Sequence, residues 1–183
     1  MENTFTVTSE ELSVLQEKMT QIRQILQPYM EQRDFRMSNP QLFVFLMYAP
    51  LALAISSDGV VDQNELAILE KVCKYIDVKQ IISIDLFDLL TKIGEPQEVM
   101  TNEEFNMRID SELLYLARNF SKYEKIIIDA AKKFLSISKD PTSGTSLHSY
   151  YNKWFDFITS QSVSKTKAKE RQKIEQYKKK LFN

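Results

Sequence analysis

Three carboxylates stand close together around a single glycine in residues 58–65. They are Asp58, Asp62 and Glu65, and the glycine is Gly59. Closely spaced carboxylate oxygens are the ligands that a hard cation such as Ca²⁺ or Mg²⁺ prefers in proteins. The segment is therefore a candidate metal site, with these three acidic residues as its ligands.

The same residues also fit a structural role at the start of a helix. Asp62 and Glu65 have the spacing of a capping box, in which each side chain accepts a hydrogen bond from the other residue's backbone N–H. Gly59 would supply a positive φ where the preceding helix ends, and Asp58 would bond to backbone N–H groups in the turn. Because capping spacing recurs at other predicted helix starts, the structural role is favoured over cation binding. The other pairs are Thr8 with Glu11, Thr101 with Glu104, and Ser121 with Glu124.

An EF-hand is one familiar cation site with this combination of residues. Asp58, Gly59, Asp62 and Glu65 would occupy loop positions 5, 6, 9 and 12, which include the glycine turn and the terminal glutamate of that motif. Position 1 would then be Ala54, whose side chain carries no ligand oxygen. A true EF-hand is therefore disfavoured.

A strongly apolar helix is predicted directly before the acidic turn. The run from Leu42 to Ile55 contains no charged residue and is too short to cross a bilayer at 1.5 Å per residue. It is therefore expected to be a fully buried helix. Pro50 lies in its middle, where a proline removes one backbone hydrogen bond and favours a kink after Leu46.

The whole chain is predicted to be all-α. Its 183 residues contain only 3 glycines and 5 prolines, which favours long helices over strands and hairpins. We expect one multi-helix bundle with extra helices at both ends, divided into 1–38 (N-terminal helix and connector), 39–160 (helical domain) and 161–183 (basic C-terminal helix). Besides the buried helix, helical patterns are predicted over residues 9–32, 62–76, 79–93, 101–120, 121–138, 146–160 and 162–182.

Positive charge is concentrated near the end of the chain. Residues 165–180 carry 8 Lys and Arg against Glu170 and Glu175, a balance of +6, whereas the other 16 basic and 23 acidic residues give −7. Since Ile174, Tyr177 and Leu181 give this segment an apolar stripe, docking on the acidic body is favoured over contact with anionic lipid or nucleic acid. Lys153 is the only basic residue among the aromatic residues of 150–157, so the signal for nucleic-acid binding is weak.

Several function classes find no support in the residues. His148 is the only histidine and Cys73 the only cysteine, and their spacing supports neither a zinc site nor a catalytic triad. The 3 glycines stand apart, so there is no glycine-rich phosphate loop. The lone cysteine and the start MENTFTVTSEEL, which has no basic or apolar leader pattern, make a cytoplasmic protein the expectation.

The segment from Leu51 to Leu66, LALAISSDGVVDQNEL, resembles the TerB-like family. This family comprises the tellurite-resistance protein TerB and its relatives, including the N-terminal helical domain of DjlA-type co-chaperones. The shared pattern is a buried Leu/Ala-rich helix followed by Asp-Gly, an aliphatic residue, Asp or Ser, and a Glu three residues further on. Ser57 departs from the pattern, because family members usually have Ala there. The resemblance covers residues 41–158 approximately.

The resemblance implies an all-α fold made of two related helical halves. A faint repeat at a shift of 82 residues, which lays residues 55–58 on 137–140, agrees with that. In the family the acidic motif residues are suspected metal ligands, and this carries over to Asp58, Asp62 and Glu65, with Asp140 as a weaker fourth candidate.

The functional expectation follows from the same resemblance. We expect a non-enzymatic module of a bacterial stress response that binds protein partners, some of them membrane-linked, and holds Ca²⁺ or Mg²⁺ at the acidic turn. Two alternatives stay open. One is a metal-dependent hydrolase that uses the same carboxylates, and the other is a membrane- or nucleic-acid-associated adaptor that acts through the basic C-terminal helix.

Overall fold

The computed structural model describes residues 9–33, 36–75, 102–136, 147–161 and 167–183. Within these ranges the ordered elements are helices and there is no strand, which confirms the all-α prediction. The helix predicted over 79–93 and the candidate ligand Asp140 lie outside the described residues. The helices are α1 (Ser9–Gln32), α2 (Asn39–Ile55), α3 (Gln63–Tyr75), α4 (Asn102–Leu135), α5 (Leu147–Gln161) and α6 (Ala168–Phe182).

The apolar helix α2 lies at the centre of the bundle. Every residue from Leu42 to Ser57 is buried, as the uncharged sequence predicts. Its most extensive contact is with α4, where the rings of Phe43 and Phe134 meet edge to face with centroids 5.5 Å apart. The most apolar helix of the bundle therefore packs chiefly on α4, with Phe134 in the second part of that helix. No helix among the described residues has both the length and the apolar character that crossing a bilayer requires.

Pro50 leaves one buried carbonyl of α2 without its helical donor. The oxygen is that of Leu46, because a proline has no N–H to donate to the residue four positions earlier. The hydroxyl of Tyr151 on α5 donates to this oxygen instead, and Tyr151 is itself fully buried. Helix α2 runs through Pro50 to Ile55 without interruption. A side chain from another helix thus satisfies the backbone group that the proline frees, and it fixes α5 to the middle of α2.

Helix α1 has the predicted bounds and packs mainly on α4. The sequence predicts it as an extra helix at one end of the bundle, but its side chains Ile22, Leu26 and Tyr29 are fully buried in the common core. A polar contact ties its end to α4. Glu112, which is buried, accepts a hydrogen bond from the Tyr29 hydroxyl and two from the Arg33 guanidinium, at 3.0 and 2.6 Å.

The two helices predicted over 101–120 and 121–138 form one helix, α4. Asn119 has a non-helical backbone (φ −127°, ψ 18°), so the helix is kinked there, but helical turns continue on both sides. The side-chain amide of Asn119 donates to the Tyr115 carbonyl oxygen at 3.2 Å. Ser121 is exposed within α4, so its capping spacing with Glu124 does not mark a helix start.

The N-terminal cap of α2 is Ser38. Asn39 and Pro40, which follow it, also have the residue types of a cap and a first helical residue. The Ser38 hydroxyl accepts from the Gln41 N–H, and the Ser38 N–H donates to the Gln41 side chain at 2.7 Å. Ser38 and Gln41 thus form a capping box, although Asn39-Pro40 is the stronger local sequence pattern for a helix start.

A double-mutant cycle tests the contact between Tyr151 and α2. Tyr151→Phe should lower the unfolding free energy by about 1–3 kcal/mol, because the buried Leu46 carbonyl oxygen loses its donor. In a Pro50→Ala background the new Ala N–H can donate to that oxygen, so Tyr151→Phe should cost about 1 kcal/mol less. Urea unfolding of the four proteins measures both values. An equal cost in both backgrounds would contradict the compensation.

Candidate functional site

The acidic turn begins where α2 ends. The Ser56 hydroxyl donates to the Ala52 carbonyl oxygen at 2.8 Å, and the Gly59 N–H donates to the Ser56 carbonyl oxygen at 2.9 Å. Gly59 has φ +85°, a left-handed conformation that glycine adopts without steric cost. Asp58 then folds back on the turn, where its Oδ1 accepts from the Val60 N–H at 2.9 Å. The chain reverses sharply here and leaves Asp58 exposed at the surface.

The predicted capping box at the start of α3 is confirmed. The Asp62 N–H donates to Glu65 Oε2 at 2.8 Å, and Asp62 Oδ1 accepts from the N–H groups of Asn64 and Glu65 at 2.8 and 3.0 Å. The hydrogen bond from the Glu65 backbone is the main reason that the pKa of Asp62 lies below its usual value. Both acidic residues therefore have a structural role, and each keeps a second carboxylate oxygen directed elsewhere.

Lys167 directs its ammonium group at those second oxygens. Its Nζ lies 2.7 Å from Glu65 Oε1 and 3.2 Å from Asp62 Oδ2, and it is also 3.5 Å from Glu170 Oε2. Burial alone lowers the pKa of Lys167, but the hydrogen bonds to Glu65 and Asp62 outweigh it and raise the pKa above the usual value. A positive group from the other end of the chain therefore lies at the candidate cation site.

Three acidic side chains converge at this point. Asp58, Glu65 and Glu170 each place one carboxylate oxygen within 4.8 Å of the others. Glu65 and Glu170 are buried, with only 4% of each residue exposed. Of the three predicted ligands, Asp58 and Glu65 come together in this cluster, while Asp62 lies beside them as the helix cap and partner of Lys167.

Glu170 was not among the predicted site residues. Burial raises its pKa, and the nearby Lys167 opposes that rise. A signal was available in the sequence, because Glu170 lies four residues before Ile174 and so continues the apolar stripe of the C-terminal helix. A carboxylate on a buried stripe must find a cationic partner, and Lys167 three residues earlier is that partner.

The predicted docking of the C-terminal helix on the body is confirmed. Ile174, Tyr177 and Leu181 are buried, and α6 packs against α4, α5 and α2. Ion pairs flank this apolar seam, from Lys178 to Asp156 on α5 and from Lys180 to Glu124 on α4. Docking thus fixes Lys167 and Glu170 against the acidic turn.

The single histidine, His148, lies in α5 and contacts the C-terminal end of α6, which is the end away from Lys167. The ring of His148 lies 4.9 Å from that of Phe182, whereas Lys167 precedes the first residue of the same helix. A 15-residue helix is about 20 Å long, so His148 is remote from the carboxylates. The chemistry of the site is therefore that of carboxylates and one ammonium group. The side chain of Cys73 lies outside the described part of the chain.

Comparison of the chain with protein-family models, curated proteins and solved structures finds no match. The geometry of the site and the motif in residues 51–66 are therefore the observations that bear on function.

Replacing Lys167 tests whether its ammonium stabilises the fold. Lys167→Met should lower the unfolding free energy by about 2–4 kcal/mol, because Glu65 and Glu170 would remain buried without their cation. Lys169→Met is a matched control, since Lys169 is exposed and should change stability by less than about 0.5 kcal/mol. Urea unfolding measures both, and equal effects of the two substitutions would contradict the assignment.

The raised pKa of Glu170 predicts a specific pH dependence. Its folded-state pKa lies above its unfolded value, so the ionised group disfavours the folded state above the folded pKa, and this penalty disappears as the pH falls toward the unfolded value of about 4.3. Between pH 7 and about pH 4.5, the unfolding free energy of the natural chain should therefore rise relative to that of Glu170→Gln. Urea unfolding across this pH range tests it, and a constant difference would be the opposing result.

Proposed function

We propose that the chain is a non-enzymatic interaction module of the TerB-like type whose acidic turn binds a divalent cation, Ca²⁺ or Mg²⁺. The observation that carries the cation proposal is the convergence of Asp58, Glu65 and Glu170 on one point. The motif in residues 51–66 supports the family, and with it a place in a bacterial stress response such as tellurite resistance and a protein partner.

The distances fit a hard cation with oxygen ligands. Ca²⁺ binds oxygens at about 2.3–2.6 Å, so two of its ligands lie at most about 5 Å apart. The three carboxylate oxygens are within 4.8 Å of one another. Because Asp58 is exposed, water can complete the coordination on the solvent side.

Binding a metal at this place requires that Lys167 leaves it. A dication and an ammonium group cannot both lie against Glu65, because like charges at such short distance repel strongly. The Lys167 side chain is 27% exposed and long enough to turn toward solvent. The proposed site is therefore one where a cation competes with a lysine of the same chain, which lowers its apparent affinity for metal.

The hydrolase alternative uses the same carboxylates and has less support. A hydrolytic metal centre needs an open coordination position and enough ligands to hold the ion firmly. Among the described residues three carboxylates converge, and one of them, Glu65, is already engaged in the helix cap. This arrangement favours binding over catalysis, and the proposal is accordingly a binding module.

Metal-induced thermal stabilisation tests the proposal. Millimolar Ca²⁺ or Mg²⁺ should raise the Tm of Lys167→Met by more than it raises the Tm of the natural chain, since the competing ammonium is gone. Adding Asp58→Asn and Glu170→Gln to Lys167→Met should abolish the shift. Both changes preserve the turn and the cap, because Asn keeps an oxygen for the Val60 N–H and Glu65 is untouched.

The control for this experiment is Asp129→Asn in the Lys167→Met background. Asp129 is an exposed carboxylate of α4, so its removal should leave the metal-induced shift unchanged. Absence of any shift in Lys167→Met would refute cation binding and leave the acidic turn with its capping role alone.

A further inference from the structure

The second half of the described structure is strongly basic. From Arg118 to the end of the chain, the described residues include 13 Lys and Arg but only 5 Asp and Glu, a balance of +8, whereas the whole chain has a net charge of −1. These residues belong to the second part of α4, to α5 and to α6, which pack together. Folding therefore extends the basic character of the C-terminal segment to a surface made by several helices.

The positive charge is concentrated where α6 lies along α4. Lys173 lies over the Phe120 ring at 4.5 Å, and Lys180 pairs with Glu124 at 3.2 Å, so both project toward α4. Residues 169, 173 and 180 are separated by four and seven positions and share this side of α6. On the neighbouring α4, Lys125 and Lys132 are exposed and seven positions apart, so they share one side of that helix. We call these five residues the lysine seam: Lys125, Lys132, Lys169, Lys173 and Lys180.

Within the described residues, the lysine seam is mostly not neutralised. Lys125, Lys132 and Lys169 are exposed, and within the described residues none of them forms an ion pair. Lys180 is paired with Glu124 but is still 54% exposed. Several like charges held on two neighbouring helices repel each other, so an anionic partner would bind them favourably.

The seam offers charge but no exposed apolar or aromatic group. Phe120 and Tyr177, the rings beneath Lys173 and Lys180, are buried, so nucleobases cannot stack on them. The large exposed hydrophobic residues of the described structure are Val60 and Met107, and neither belongs to the seam. A protein interface would normally have an apolar or aromatic anchor at its centre.

The shape of the seam also argues against entry into a nucleic-acid groove. Helix α6 is packed lengthwise on its neighbours and does not project from the surface, whereas groove readers present a helix that can enter the groove. Two helices lying side by side instead present a broad, lysine-rich face. Such a face fits an extended anionic surface with phosphate or carboxylate head groups, which attracts lysines without requiring specific geometry.

We propose that the lysine seam adsorbs the protein on an anionic lipid bilayer. Contact is peripheral and electrostatic, because the seam has no residue to insert. This binding is independent of the cation site, since none of the five lysines touches the acidic turn among the contacts described above. Each lysine close to an anionic membrane strengthens binding by a factor of about 5, so three of them together contribute about 100-fold.

Vesicle co-sedimentation of the full chain tests the proposal. Vesicles of phosphatidylglycerol mixed with phosphatidylcholine should bind the protein at low salt, whereas pure phosphatidylcholine vesicles should not. Binding should vanish near 1 M salt, where the screening length falls to about 3 Å. The seam variant Lys125→Gln, Lys132→Gln, Lys169→Gln should bind about 100-fold more weakly and fold normally, because these side chains are exposed and make no ion pair within the described residues.

A matched control carries the same change of net charge elsewhere. Lys18→Gln, Arg36→Gln, Lys153→Gln removes three positive charges from α1, the α1–α2 connection and α5. This control should retain most of the binding. Equal loss in both triple variants, no sedimentation with the anionic vesicles, or binding to duplex DNA without binding to vesicles would each overturn the proposal.

Discussion

One ammonium group, that of Lys167, fixes the end of the chain to the turn that follows its most buried helix. Glu65 and Glu170 are buried carboxylates, and a buried carboxylate without a cation or a proton is strongly disfavoured. The Lys167 ammonium group forms ion pairs with Glu65 and Glu170, and with Asp62 as well. The position of α6, the charge of the acidic turn and the cap of α3 are therefore coupled through a single side chain.

The same principle, that buried polar groups need partners, explains two further contacts between helices of the bundle. Helix α2 is buried on all sides, so the carbonyl that Pro50 frees cannot turn to water and is met by Tyr151 from α5. Glu112 on α4 is likewise buried and accepts from Tyr29 and Arg33 of the first helical segment. Apolar packing brings the helices together, and these contacts specify how they are aligned.

The features that could be predicted from the sequence are local ones. The bounds of α1, the buried run from Leu42 to Ile55 and the capping box of Asp62 with Glu65 depend on residues a few positions apart. The convergence of Lys167 and Glu170 on the turn could not be predicted, because their partner Glu65 lies about 100 residues earlier. One sequence carries no direct record of such contacts. The spacing of Ser121 with Glu124 predicts a helix start near the kink at Asn119 that the structure does not have, because capping spacing occurs inside helices as well as at their starts.

Lys167 occupies the position at which we propose that a divalent cation binds. A crystal of the natural chain soaked in Mn²⁺, which shares the oxygen preference of Ca²⁺ and Mg²⁺ and scatters anomalously, tests it most directly. We expect an anomalous peak bound by Asp58, Glu65 and Glu170, with the Lys167 side chain turned away from Glu65. Lys167 still bound to Glu65, with no peak at the turn in saturating Mn²⁺, would contradict it.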